Sequence, residues 1–340
     1  MPIIRIHISD KQLEWLRVNG EIDIALDGDV EQKQEEPCAT AVAQEEPTNF
    51  LEYIRQWAAQ LEQAGNQRTA ETYRVALNHF SRFCHDKDLP MSDITPLLIE
   101  EFQIYLRGQQ LTMNTVSFVM RILRSIYHKA VKQGLTVDCK PFCGVYTGNA
   151  QTQKRALSCE MLQCIRHLEL DDPQMVFARD MFMMSFYLRG MSFVDMAYLK
   201  RSDIRNGRVT YKRHKTGQIL TIRWEQKMQD IVDRYCNPHT DYLLPIILKQ
   251  NGKERNQYRH HQTQINCSLK KIASLAGLNI NLTMYCARHS WATIAREMQT
   301  PMHIISYAMG HLNERTTEIY IRSVDTDTID SINERILQTI

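Results

Sequence analysis

Three short stretches near the C-terminus hold the residues with the most chemical capacity. They are Ala287-Arg288-His289-Ser290-Trp291-Ala292-Thr293, Ala308-Met309-Gly310-His311 and Thr316-Thr317-Glu318-Ile319-Tyr320. Arg288 stands 23 residues before His311, and His311 stands 9 before Tyr320. A guanidinium holds its charge at any physiological pH and offers paired donors that match the oxygens of a phosphate. An imidazole binds or passes protons near neutrality, and a phenol oxygen is a nucleophile once its proton is drawn off. Upstream, Lys215-Thr216-Gly217 puts a flexible cation in a turn composition. Together these types suit a reaction at an anionic centre. Singly, each also has an ordinary structural reading. Tyr320 is one of 14 tyrosines, most of which simply pack. Gly310 is a helix-end residue and Lys215-Thr216-Gly217 a plain turn.

Order and spacing carry more than the single residues. The three stretches resemble the C-terminal domain of tyrosine recombinases, the phage integrase and Xer family. That domain shows an Arg-His pair, then Leu-Gly-His, then Thr-Thr-x-x-Tyr at these spacings. Tyr198-Leu199-Lys200-Arg201-Ser202-Asp203-Ile204 resembles the family's Ala-Leu-x-Trp-x-Asp-Ile segment, and Lys215 falls where the family has a mobile lysine. The resemblance extends over residues 49–340. It implies a site-specific recombinase that cleaves and rejoins DNA in integration, excision or inversion, without an external energy source. Tyr320 would displace the 5′ oxygen of a phosphodiester and form a 3′-phosphotyrosyl link. Arg288 would steady charge on the non-bridging oxygens, a role in which a positioned arginine contributes roughly 10³–10⁵ in rate. His311 would hydrogen-bond the phosphate or orient the nucleophile, and Lys215 would protonate the departing 5′ hydroxyl.

Two positions depart from the family pattern. Aligned backwards from Leu199, the segment Leu188-Arg189-Gly190-Met191-Ser192-Phe193-Val194-Asp195 puts Ser192 where the family's first catalytic arginine belongs. Asp195 still fills the acidic position. A transition state with Arg288 alone would lose a large electrostatic contribution, so a surrogate cation is expected. Arg189 is the first candidate, Arg213 on the hairpin the second, with an ion pair from Arg189 to Asp195 or another acid as the structural alternative for Arg189. Tyr285 stands where a histidine or lysine is usual, three residues before Arg288. This variant resembles the branch carried by conjugative elements and DNA invertase switches of gut anaerobes.

The elements that must position these residues read as mainly α. From Asn49, four helices can be drawn with their punctuation. The first buries Phe50, Ile54, Trp57 and Leu61 and stops at Gly65. The second starts near Thr69, and the third has Thr95 as N-cap with Pro96 at its first position and ends at Gly108. The fourth starts near Asn114 and stops at Gly134. It carries Arg121, Arg124, Lys129 and Lys132 beside its apolar stripe. The expected organisation is a small acidic segment at 1–30, a linker at 31–48, and a helical core-binding domain at 49–143. A connector at 144–155 then leads to a mostly helical catalytic domain at 156–340. In that domain, alternation at 208–211 and 219–222 predicts a small β-hairpin with Lys215 at its tip. Ile329, Ile332, Ile336 and Ile340 share one face of an expected C-terminal helix. By the resemblance, such a helix docks on a neighbouring protomer in a tetramer on DNA.

Composition sets the remaining bounds. The net charge of +2 conceals an asymmetry: residues 1–48 hold 4 basic and 11 acidic side chains, and the remainder 37 basic and 28 acidic. A basic body suits a polyanion, whereas the acidic start argues against DNA contact there. The nine cysteines show no pairing framework, and neither Cys139/Cys143 nor Cys159/Cys164 has a matching partner pair at zinc spacing. No metal or other cofactor is expected. No run approaches the ~20 apolar residues of a membrane helix, and a cytoplasmic location is expected. The partners implied are double-stranded DNA with inverted-repeat core sites, further copies of the chain, and accessory DNA-bending or directionality proteins. A type IB topoisomerase shares the chemistry but not the compact helical domain followed by this pattern. A catalytically dead DNA-binding regulator accounts for the missing arginine but not for Lys215, Arg288, His311 and Tyr320 being kept together.

Overall fold

A computed structural model of the protein describes residues 49–150, 155–235, 240–311, 313, 316 and 317. Tyr320, the acidic segment, the 31–48 linker and the expected C-terminal helix lie outside the described residues. The chain divides into two compact units that part between Ala150 and Gln151. The fold is mostly helical with one small antiparallel sheet.

The first unit is built from α1 (Phe50–Gln63), α2 (Gln67–Phe83), α3 (Pro96–Gly108) and α4 (Met113–Lys132). Each helix starts and stops for a local reason. Thr95 and Thr112 turn their hydroxyls onto the Leu98 and Thr115 amides, giving α3 and α4 their first satisfied donors. Gly65 and Gly134 take positive φ just beyond α1 and α4. The apolar stripes meet in one core, where Phe80 stands edge-on to both Phe50 and Phe102. Of the four cations read on α4, Arg121 and Lys132 are exposed. Arg124 reaches Thr147 instead, and the Lys129 ammonium lies 3.7 Å from the Trp57 ring centre and 3.1 Å from the Tyr73 hydroxyl. Residues 144–150, where the connector was expected to begin, pack on this unit. The Gln103, Ser117 and Asn114 side chains bond the backbone of Tyr146, Gly148 and Ala150, replacing the water a free linker would bind.

The second unit has α5 (Cys159–His167), α6 (Pro173–Tyr187), α7 (Phe193–Ala197), α8 (Gln226–Arg234), α9 (Glu254–Leu275), α10 (Met284–Glu297) and α11 (Met302–Ala308). Its sheet has β1 (Ile204–Arg205), β2 (Arg208–Lys212) and β3 (Ile219–Arg223) in that order, with Tyr211 opposite Leu220 and Val209 opposite Ile222. The inward residues Val209, Tyr211, Leu220 and Ile222 alternate with exposed neighbours, as a sheet covered on one face must. Helix α6 is the central element, packed by α8, α9 and α10 and buried without a break from Asp180 to Ser185. Its one buried acid, Asp180, accepts bonds from Arg234 at 2.6 Å and the Tyr235 hydroxyl at 3.0 Å, which ties α6 to the end of α8. A smaller cluster of Ala292, Ile305 and Met309, flanked by Trp291, joins α10 to α11. Among the described residues, no helix is long and apolar enough to cross a membrane.

Candidate active site

Two glycines bring the site's backbone segments close enough to meet. After α6 the chain reverses through Arg189 (φ 58°) and Gly190 (φ 71°). A Cβ at 190 would stand 2.6 Å from the Cα of Arg288, so the α6–α7 turn can lie against α10 only with glycine there. At the far end of α11, Gly310 (φ 66°) gives the same kind of access: its missing Cβ would stand 2.8 Å from Leu220 and 3.1 Å from the Arg213 side chain.

Arg288, on α10, is only 4% exposed. Its Nη1 donates to the Gly190 carbonyl at 2.7 Å, and Nη2 donates to the Met309 carbonyl at 2.6 Å and faces His311 Nε2 at 2.7 Å. A guanidinium cannot accept, so Nε2 is the acceptor and the His311 proton sits on Nδ1. Nδ1 in turn lies 2.8 Å from the hydroxyl of Thr317, a fully buried residue. Burial first, and then the charges of Arg288, Arg213 and Lys215, push His311 down to about 3. His311 is therefore a neutral imidazole held in one tautomer.

Arg213, at the end of β2, is as buried as Arg288 and donates through Nη1 to the Gly310 carbonyl, one residue before His311. Its Nε lies 4.0 Å from Asp195, the acid on α7. Asp195 also accepts from the Ser192 hydroxyl at 2.6 Å, and from the His214 backbone at 2.9 Å and ring at 3.0 Å. Burial works against its charge, but the bonds from His214 and Ser192 prevail and hold the carboxyl below its ordinary range. Ser192, where the family's arginine would stand, thus caps α7 and steadies its acid.

The other expected residues divide. Lys215 is exposed at the tip of the β2–β3 turn, near enough for its charge to act on His311. Arg189 is half-buried in the left-handed turn before Gly190. Among the described residues it makes no ion pair with Asp195, whose oxygens are taken by Ser192, His214 and Arg213. Its charge reaches the Tyr211 phenol, which burial and then Asp195 nevertheless push up to about 12. Tyr285 stays at the surface of α10, its ring edge-on to His289 at 4.8 Å. The tie between Thr317 and His311 has a sequence signal only in the Thr-Thr pair itself. The anchoring carbonyls of Gly190, Met309 and Gly310 have no side-chain signal at all.

Three cations thus converge on one neutral imidazole, with Asp195 as the nearby counter-charge, and an arrangement of that kind accommodates an anion. Residues 49–142 match the phage integrase SAM-like domain and residues 160–326 the phage integrase family. A tyrosine recombinase of Pseudothermotoga lettingae is 22% identical over 79% of this chain and 92% of its own length. Tyrosine recombinase XerD of Shewanella oneidensis is also 22% identical, over 75% of this chain and 86% of its own. The fold is shared with a lambda integrase dimer bound to a COC′ core site (TM-score 0.62, 14% identity, 80% of this chain and 95% of that one). It is shared too with the Tn1549 transposon integrase in complex with a circular intermediate DNA (TM-score 0.61, 16% identity, 85% of this chain and 100% of that one). Matched on both of its units and along most of its length, the chain belongs to the phage integrase family of tyrosine recombinases, enzymes of DNA strand exchange.

Proposed function

We propose that this recombinase attacks a DNA phosphodiester with Tyr320 and steadies it with Arg288, Arg213 and His311. Lys215 supplies the proton to the departing 5′ oxygen. The observation that supports this reading best is the convergence of Arg288, Arg213 and Lys215 on His311, because that much positive charge around one buried ring suits a bound phosphate. Arg213 takes the part of the arginine that Ser192 replaces. Its guanidinium is buried beside the His311 segment, whereas Arg189 is half-buried in a turn. Arg288 and Arg213 meet charge that grows on the non-bridging oxygens, and they are already fixed before the reaction begins.

The domain arrangement follows the same reading. Residues 49–143 serve as the core-binding domain and residues 156–340 as the catalytic domain. Both bind double-stranded DNA carrying inverted-repeat core sites, and the outcome is integration, excision or inversion. Lambda integrase has been described as a tetramer bound to a Holliday junction, and a tetramer on two sites, helped by accessory DNA-bending proteins in the cytoplasm, is the assembly proposed here.

The test is covalent trapping. The core site is selected by the protein from a random duplex pool and rebuilt as a nicked suicide duplex. Wild-type protein is expected to accumulate on the 3′ phosphate, and Tyr320→Phe to bind the same duplex without forming the adduct. An adduct with the Phe variant would remove Tyr320 from its role.

A further inference from the structure

We infer that His214 is a positioning residue for the leaving-group step: clamped on Asp195, it fixes the start of the turn from which Lys215 delivers its proton. The inference rests on the reading of Lys215 as proton donor given above. In that step the Tyr320 Oη–P bond forms as the P–O5′ bond breaks. The O5′ takes a proton from the Lys215 ammonium, and the phenol proton passes to water.

The turn between β2 and β3 is closed at its base by two backbone bonds, Arg213 N to Gln218 O and Gly217 N to Arg213 O, both 2.8 Å. These set its width but not where its tip points. The lateral constraint comes from α7, outside the sheet. One oxygen of Asp195 receives both the His214 amide (2.9 Å) and the His214 Nδ1 (3.0 Å). The other is held by Ser192 at 2.6 Å, so the carboxylate cannot swing. The imidazole also lies against the Tyr198 ring, 4.8 Å between centres. Tyr198 is itself backed edge-on by Tyr242 and Tyr258 at 5.8 and 5.9 Å. His214 is therefore held by both Asp195 and Tyr198, and the next residue is Lys215.

A long, exposed lysine on a free hairpin tip would sample many orientations. Pinning the Cα immediately before it narrows that search, which is the kind of constraint that raises an effective concentration. A stability role alone explains the arrangement poorly. The His214 amide already bonds the buried Asp195 carboxylate and would do so with any residue at 214, so holding the fold does not call for the imidazole, which is 44% exposed. What the clamp governs is direction.

The experiment uses the full chain and two versions of the selected suicide duplex. One carries an ordinary scissile phosphate, and the other a 5′-bridging phosphorothiolate whose thiolate departs without needing a proton. Lys215→Ala is expected to be slow on the first and restored on the second. His214→Ala is expected to follow the same pattern, about 10–100-fold slow on oxygen and close to wild type on sulfur, the range over which a displaced acid acts. His214→Asn keeps a donor near the Nδ1 position and is expected to recover most of the rate on the ordinary duplex. Wild-type rates for His214→Ala on both duplexes would overturn the inference, as would an equal loss on both, which would assign His214 to phosphate binding or folding. Failure of sulfur to restore Lys215→Ala would remove the acid and the inference with it, leaving Tyr320 untouched. Absence of any wild-type adduct on either duplex would instead sink the proposed function from which the inference starts.

Discussion

The hydroxyl of Thr317 stands 2.8 Å from Nδ1 of His311, and both residues are buried. Since Arg288 donates to the other ring nitrogen, Thr317 selects the tautomer that receives that bond. Thr317 is also three residues before Tyr320, so one hydroxyl links the ring's orientation to the segment that carries the proposed nucleophile. Thr317→Val keeps the shape and removes the acceptor. It is expected to slow adduct formation about 10-fold or more through an unsatisfied buried donor, with Thr317→Ser restoring the rate. The ¹⁵N shifts of His311 should show a single tautomer in wild type and a mixture in the Val variant. Unchanged shifts would contradict the tie.

The depressed pKa of His311 has a sign that can be measured. An unfolded histidine takes its proton near ~6.5, whereas folded His311 does so only at about 3. Between those values the unfolded chain binds the extra proton, so this group's contribution to stability is complete above ~6.5 and is lost as pH falls toward 3. The slope is at most about 1.4 kcal/mol per pH unit. Proton NMR of the His311 ring should show no titration near neutrality. Phosphate or a DNA duplex in the site should raise the pKa, because an anion offsets Arg288, Arg213 and Lys215. A ring that titrates at ~6.5 in the free protein would refute the buried geometry.

Arg213 and Arg189 can be separated by substitution. Arg213→Ala is expected to lower adduct formation by about 10²-fold or more at saturating DNA, within the range for losing a transition-state cation. Arg189→Ala should cost clearly less. Because Arg213 also bonds the Gly310 carbonyl, its melting temperature must be followed, and Arg213→Lys separates charge from fork geometry: it should fold and still cleave slowly. A larger loss at Arg189 than at Arg213 would exchange the two assignments.

Gly190→Ala tests how closely α6 and α10 must approach. The new methyl would lie 2.6 Å from the Arg288 Cα in a left-handed backbone. Strain of about 1–3 kcal/mol should appear as a lower melting temperature. Displacement of the Arg288 backbone should reduce cleavage more than DNA binding. Normal melting with normal cleavage would show that the turn has slack.

The helices of the first unit were legible because their signals are local. Thr95 followed by Pro96, Gly65 after α1, and a 3.6-residue stripe through Phe50, Ile54 and Leu61 all act within a few residues of where they stand. The hairpin around Lys215 was legible for the same reason, through alternation on each side of a Gly-containing turn. Residues 144–150 misled because glycine and polar side chains describe both a free connector and a loop packed on Asn114, Ser117 and Gln103. Within the site, the motif residues Arg288 and His311 could be named from their spacing. Their partners could not, because backbone carbonyls have no residue signature and Asp195 meets His214 across 19 positions. Adjacency to Ser192 in the chain points to Arg189 as the surrogate cation, while the bond from Arg213 to the Gly310 carbonyl crosses 97 positions and has no local signal to set against it.

The long-range bonds that pin Arg288 and Arg213 have a consequence for how the protein comes into being. The bond to Gly190 spans 98 residues and that from Arg213 to Gly310 spans 97, so both close loops as long as half the unit. Contacts of such separation cost the most loop entropy and form when most of the chain is already in place. A chain still emerging from the ribosome with α10 complete holds Gly190 but not yet the Met309 and Gly310 carbonyls that aim Arg288 and Arg213. The capacity to cut DNA thus arrives with the completed topology and not before.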